Sequence, residues 1–198
     1  MQGDIWAVNP STSATFYRAA AAIAGAGNVT LTTTDAGPNG IGYKILITSA
    51  GDDTGITFTV TGTKVGNLTS HVPAVEVITG ANATTATSTN YWASDISIVA
   101  SGASAGDVSI GTTGDVALAR TRVKGFYIVC GATAGSLKVN INGLTTGNNT
   151  VFDVSTPAGA TLVQDLLLAG NGILTARQNN DYAVVVPTNL TDYTLFCG

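Results

Sequence analysis

A chain of 198 residues, 44% of them apolar, has material for one large or two small domains with a true core. Only 10% is charged, against about 25% in ordinary soluble domains, and threonines outnumber the 8 basic and 12 acidic residues together. A net charge of −4 and a pI near 4.6 argue against a nucleic-acid-binding role, which needs a basic face for phosphate.

Threonine is β-branched and suits a pleated, half-buried surface, so the composition points to an all-β chain. A surface so poor in charge is either covered by neutral polar groups or covered by other subunits. The opening Met1-Gln2-Gly3-Asp4-Ile5-Trp6 has no basic or long apolar region, so no signal peptide is expected, and the small-apolar run Ala19 to Ala24 is too short to span a bilayer. Residues 1–27 read as an N-terminal arm. Within it Thr12 caps a predicted short helix that runs through Ala24 and closes at Gly25, supported by consecutive alanines.

From Asn28 the pattern is β. Val29-Thr30-Leu31 leads to a turn at Gly37-Pro38-Asn39-Gly40 and a strand from Ile41 to Thr48. Ile56, Phe58 and Val60 then alternate with Thr57, Thr59 and Thr61, one face in and one out. Pro73 demotes Leu68–Ile78 to an edge or broken strand, and Ala81–Asn90 reads as an extended loop or a poorly specified strand. After a hairpin over Ile96–Ile110, the small, polar Gly111-Thr112-Thr113-Gly114 is the best boundary candidate. Strands follow at 121–130, 136–142, 150–155, 162–168, 173–177, 182–186 and 192–197. They are punctuated by Gly170-Asn171-Gly172, Asn179-Asn180-Asp181 and Pro187-Thr188-Asn189. The expected architecture is all-β: an arm over 1–27 and two small β-sandwich or jelly-roll-like units over 28–114 and 115–198.

One hairpin is written three times. Gly102-Ala103-Ser104-Ala105-Gly106 between apolar runs returns as Gly131-Ala132-Thr133-Ala134-Gly135, and more loosely around Ser49-Ala50-Gly51-Asp52-Asp53-Thr54-Gly55. The first copy matches the G-x-S-x-G nucleophile elbow, which requires a strand-to-helix turn with Asp and then His downstream. Here a strand follows, the one histidine, His71, lies upstream, and the sister copy has Thr133 in the serine's place, so a hairpin turn is expected. His71 has no second histidine or cysteine pair at ligand spacing, which leaves neither zinc nor a histidine triad. Asp52-Asp53 lacks the alternating oxygen ligands that calcium wants and reads as turn-forming. No cofactor and no catalytic residue is expected.

The candidate interface residues are of two kinds. Arg120, Arg122 and Lys124 fall at period 2 on one strand face, either an ordinary solvated face or a docking patch for an acidic neighbour or another copy. Trp6, Tyr91 and Trp92 either anchor a core or an interface, or stack on sugar rings if exposed. Cys130 ends a strand and Cys197 sits beside the C-terminus. They can meet in space, although two buried free thiols fit better.

The segments Gly55 to Thr63, Glu76-Val77-Ile78-Thr79-Gly80 and Gly102 to Gly111 resemble pieces found repeatedly in virion proteins of tailed bacteriophages. Val123-Lys124-Gly125, Phe152-Asp153-Val154, Gly170-Asn171-Gly172-Ile173 and Tyr193-Thr194-Leu195-Phe196 look like a phage structural domain as well, so the likeness covers about residues 40–198. One departure is Ser70-His71-Val72-Pro73, which falls where such proteins continue a regular polar strand. The resemblance implies a non-enzymatic virion subunit, foremost a capsid decoration or cement protein, assembled in the host cytoplasm. Its partners would be copies of itself in a closed ring such as a trimer and the major capsid protein, without nucleic acid or membrane. A neck or tail protein (adaptor, nozzle or fibre attachment) and a carbohydrate-binding adhesin are the alternatives.

Overall fold

The computed structural model describes residues 6–8, 12–35, 41–66, 72–119, 122–141, 150–165, 173–174 and 182–197. His71, Arg120 and the predicted turns at 37–40, 170–172 and 179–181 lie outside them. The fold is all-β and sandwich-like, with no helix among the described residues. By packing, the chain separates into Ser11–Val116 and a second unit made of Ala117–Gly198 with Met1–Pro10.

The predicted helix at 12–24 is instead a strand, β2 (Ser13–Ala22). It lies antiparallel on β9 (Asp107–Leu118), with Ser13 opposite Thr112 and Ala22 opposite Asp107. The alanine preference that favoured a helix is a few tenths of a kcal/mol per residue, and an isolated helix of about 12 residues is marginal in water. Docking as a strand buries Tyr17 completely while Ala19 to Ala22 face solvent. The arm is therefore sheet: β1 (Trp6–Val8) pairs with β16 (Leu190–Cys197), β2 with β9, and β3 (Gly27–Asn28) with β8 (Trp92–Ala100).

Gly111-Thr112-Thr113-Gly114 is not a flexible linker either, because it runs inside β9. The unit division falls just beyond it, between Val116 and Ala117 of the same strand. Gly111 is there for a steric reason. A Cβ at this position would lie 1.7 Å from the Ser13 carbonyl oxygen, so only glycine lets the β2 backbone cross so closely.

The Ser11–Val116 unit opens from a corner. Tyr43 of β4 (Ile41–Ser49) pairs with Trp92 of β8. Upstream of Trp92 the chain runs beside β4 as β7 (Thr85–Thr87). Downstream it leaves for β5 (Thr57–Lys64), reaching Phe58 opposite Ala100. One layer is thus β6 (Ala74–Thr79), β5, β8 and β3, and the other is β7, β4, β9 and β2. Strands that switch layers in this way make the corners of sandwiches. Between the layers lie Ile45, Ile47, Phe58, Val60, Ile78, Trp92, Ile96, Ile98, Val108 and Ile110. Pro73 directly precedes β6, which ends its layer as the proline signal implied.

In the second unit, β10 (Arg122–Cys130) pairs on one side with β16 and on the other with β13 (Thr161–Asp165) and β14 (Ile173–Leu174). In the other sheet β12 (Thr150–Thr156), β11 (Gly135–Ile141) and β15 (Ala183–Thr188) lie side by side, with β11 antiparallel to both neighbours. Phe126 and Phe152 stack across the two sheets at 6.0 Å between ring centres. Pro187 and Thr188 continue β15, and only Asn189, at φ 54°, makes the turn into β16. The cysteines are free and buried. On β10, Cys197 sits opposite Val123 whereas Cys130 ends the strand opposite Leu190. That is about 23 Å along a strand at about 3.3 Å per residue, well beyond the ~7 Å Cα limit for a disulfide.

Candidate interaction surface

The Gly-Ala-Ser-Ala-Gly turn forms a tightly bonded end of the first unit. Ser104 Oγ donates to the Gly106 carbonyl at 2.6 Å and accepts the Ile23 amide at 2.9 Å, while its own amide donates to Ile23 O at 2.9 Å. The hydroxyl is thus spent on fastening the turn to the end of β2, as a hairpin role requires. The Asp52-Asp53 turn packs beside it. Asp53 is buried, and its Oδ1 accepts the Ala105 amide at 2.7 Å. Asp52 Oδ1 accepts both the amide and the hydroxyl of Thr54, which hold its carboxyl below the usual carboxylate range. A Cβ on Gly51 would come within 2.8 Å of the Ala105 backbone, so the small residues of two hairpin copies serve to pack the turns on each other.

The expected aromatic interface is not on the surface. Trp92 is fully buried at the corner where the layers join, so it is removed from the interface candidates and from sugar stacking. A sequence pattern of Tyr-Trp after a polar loop does not reveal that its strand changes layers there. Tyr91 is half-buried, with Lys44 Nζ 5.4 Å from its ring centre. The loop before it is fixed by Glu76. Its carboxylate accepts the amide and hydroxyl of Thr89, and the amide and side-chain nitrogen of Asn90. Burial raises the Glu76 pKa, but these hydrogen bonds outweigh it and the net shift is downward. Trp6 lies on β1 opposite Cys197.

Of the basic residues, Arg122 is exposed on β10 opposite Leu174, and Lys124 is half-buried where the register with β16 shifts. The structure brings these two onto one strand, while Tyr91 and Trp92 belong to the other unit. Among the described residues no group of three or more His, Cys, Asp or Glu could hold a metal ion.

A surface that sequence reading missed is the outer face of β6, β5 and β8. Val77, Thr59 and Val99 lie side by side across the three strands, and Val75, Thr61 and Ser97 form the next row. Val75 and Val77 are 61% and 60% exposed and Val99 39%, so large apolar side chains stand in water with threonine between them. These rows carry no charge, and β6 is the last strand of its layer. In Ala74-Val75-Glu76-Val77-Ile78 apolar residues occupy both parities, so alternation alone does not say which valines point outward.

Comparison with protein-family models, with curated proteins and with solved structures returns no match.

Proposed function

We propose that this chain is a non-enzymatic structural subunit of a tailed-bacteriophage virion, working as a capsid decoration or cement protein. The observation that carries the reading is the pair of uncharged valine–threonine rows on β6, β5 and β8, which meet a charge only farther along β8, at Asp95. Soluble surfaces normally interrupt such rows with lysine or glutamate, especially at a terminal strand, where charge prevents unwanted pairing. Covering each exposed valine would contribute on the order of 1–2 kcal/mol. That is too little for one tight site and sufficient when many copies act together on a lattice. A closed ring of copies, such as a trimer, covers the terminal strands of every member.

The segment resemblance to phage virion proteins supplies the setting, and the major capsid protein is the expected neighbour. A neck or tail position uses the same face and remains the alternative within the structural class. The test is co-sedimentation of the purified protein with emptied phage shells that lack it. Saturable binding and a raised shell melting temperature are expected. A stable monomer that neither self-associates nor binds shells or tails would refute the proposal.

A further inference from the structure

Where β2 ends, a cleft of about 270 Å³ is lined by Arg18 and the stretch from Ala22 to Thr30. Among the described residues Arg18 is the only charged one of that lining. Its guanidinium is held in place by backbone alone. Nη1 donates to the carbonyls of Ala21, at 2.8 Å, and Val108, and Nη2 donates to that of Ala22 at 3.2 Å. A guanidinium has five N–H donors, so Nε and the second Nη2 hydrogen remain without a partner among the described residues. Nε and Nη2 share one edge of the planar group, the two-donor edge that matches two carboxylate oxygens.

The charge is unmatched as well. Among the described residues the ion pairs are Lys44–Asp115 and Lys138–Asp153, and neither involves Arg18. Much of the remaining lining is small: a Cβ added at Gly25 or at Gly27 would meet nothing within 4 Å, and Ala24, Gly25 and Ala26 are exposed. Three carbonyls that fix the side chain remove most of the rotamer entropy that an exposed arginine loses on pairing.

We propose that this cleft is a receptor for a carboxylate, an aspartate or glutamate side chain of a partner protein, held by the free edge of Arg18. A single positive charge in an otherwise neutral cleft fits a monoanion. A phosphate-bearing ligand would call for further cations, and the described lining of the cleft holds none. The inference stands apart from the assembly reading, since its binding group is Arg18 of β2 and none of the exposed valines lines the cleft.

The experiment is NMR titration of the full chain with sodium acetate as the probe, following Arg18 Nε–Hε and the Ala22–Thr30 amides. Sodium chloride and sodium phosphate are added in parallel at matched ionic strength. Saturable shifts confined to the cleft are expected with acetate and not with chloride. Ala24→Glu, at an exposed site, places a competing carboxylate in the cleft and should weaken the acetate response about tenfold or more, the equivalent of one charge-assisted hydrogen bond. Arg18→Gln should abolish the response. Because that variant also loses carbonyl bonds that shape β2, Ala24→Glu decides if Arg18→Gln fails to fold. Identical shifts in chloride and acetate, an unchanged response in Ala24→Glu, or tighter binding of phosphate would each overturn the proposal. Failure here leaves the valine face intact, and failure of shell binding leaves acetate binding intact, so the two readings fall separately.

Discussion

Gly111→Ala is the sharpest perturbation of the first unit, because two glycines three residues apart in one strand make opposite predictions. A methyl group at Gly111 would stand 1.7 Å from Ser13 O and 2.5 Å from the Ala14 carbonyl carbon, both backbone atoms that no side-chain rotation can clear. At Gly114 the nearest atom is Thr12 Oγ1 at 3.5 Å, an ordinary contact. Relief at Gly111 requires β2 to lift from β9. Overpacking costs about 1–3 kcal/mol, and partial exposure of Tyr17 adds about 2 kcal/mol, for a loss of roughly 3 kcal/mol. In a unit of this size that corresponds to a fall in Tm of about 10 °C or more. Gly114→Ala should stay within about 0.5 kcal/mol of wild type. Urea unfolding followed by the fluorescence of Trp92, which is buried in the same unit, measures both. Equal stabilities for the two variants would refute the pairing of β2 on β9, and with it the replacement of the predicted helix by a strand.

Glu76 gives a pH dependence whose sign follows from its hydrogen bonds. Its folded pKa is below the ordinary value of 4.5, so its contribution is complete above pH 4.5 and is lost as pH falls through the lower folded value. Denaturation of wild type and Glu76→Gln between pH 7 and pH 3 should therefore converge at the acid end, with a difference at pH 7 of under about 1 kcal/mol for this partly exposed group. The cysteines should be silent in the native state. Burial pushes the Cys197 thiol up to about 12, and Cys130 is buried with its Sγ 3.6 Å from Thr156 O. A disulfide-exchange thiol reagent at pH 8 should find no reactive thiol before unfolding and two after it, and reducing agent should leave Tm unchanged. Fewer than two thiols after unfolding would mean that a bond exists.

The strand content was legible because it is written in alternation and turn chemistry. Ile56, Phe58 and Val60 against Thr57, Thr59 and Thr61 match the buried and outward rows of β5 and its neighbours, and the Gly-Ala-Ser-Ala-Gly copy forms the turn between β8 and β9. What misled was local preference without tertiary context. The alanines of 19–22 favour a helix only if nothing holds the segment extended, and β9 pairs with Arg18, Ala21 and Ala22. Gly111 looks like flexibility in a sequence and is a crossing point in the fold. Trp92 carries no mark of the layer change that buries it, and the outward valines of β6 are hidden by apolar residues at both parities. Arg18 was passed over because its partners are carbonyl oxygens, which leave no sequence trace.

The central claim is that the valine–threonine rows of β6, β5 and β8 are where copies or shell neighbours are bound. Sedimentation velocity across a wide concentration range, on wild type and on the double variant Val75→Lys, Val77→Lys, tests it most directly. Val163→Lys, on an equally exposed valine of β13 in the other unit, is the control. Lysine on a terminal strand opposes pairing at little cost to folding. The account predicts that wild type and the Val163 variant form the same closed oligomer while the double variant sediments as a folded monomer. A wild type that neither self-associates nor binds shells or tails, or a double variant that assembles as well as wild type, would contradict it.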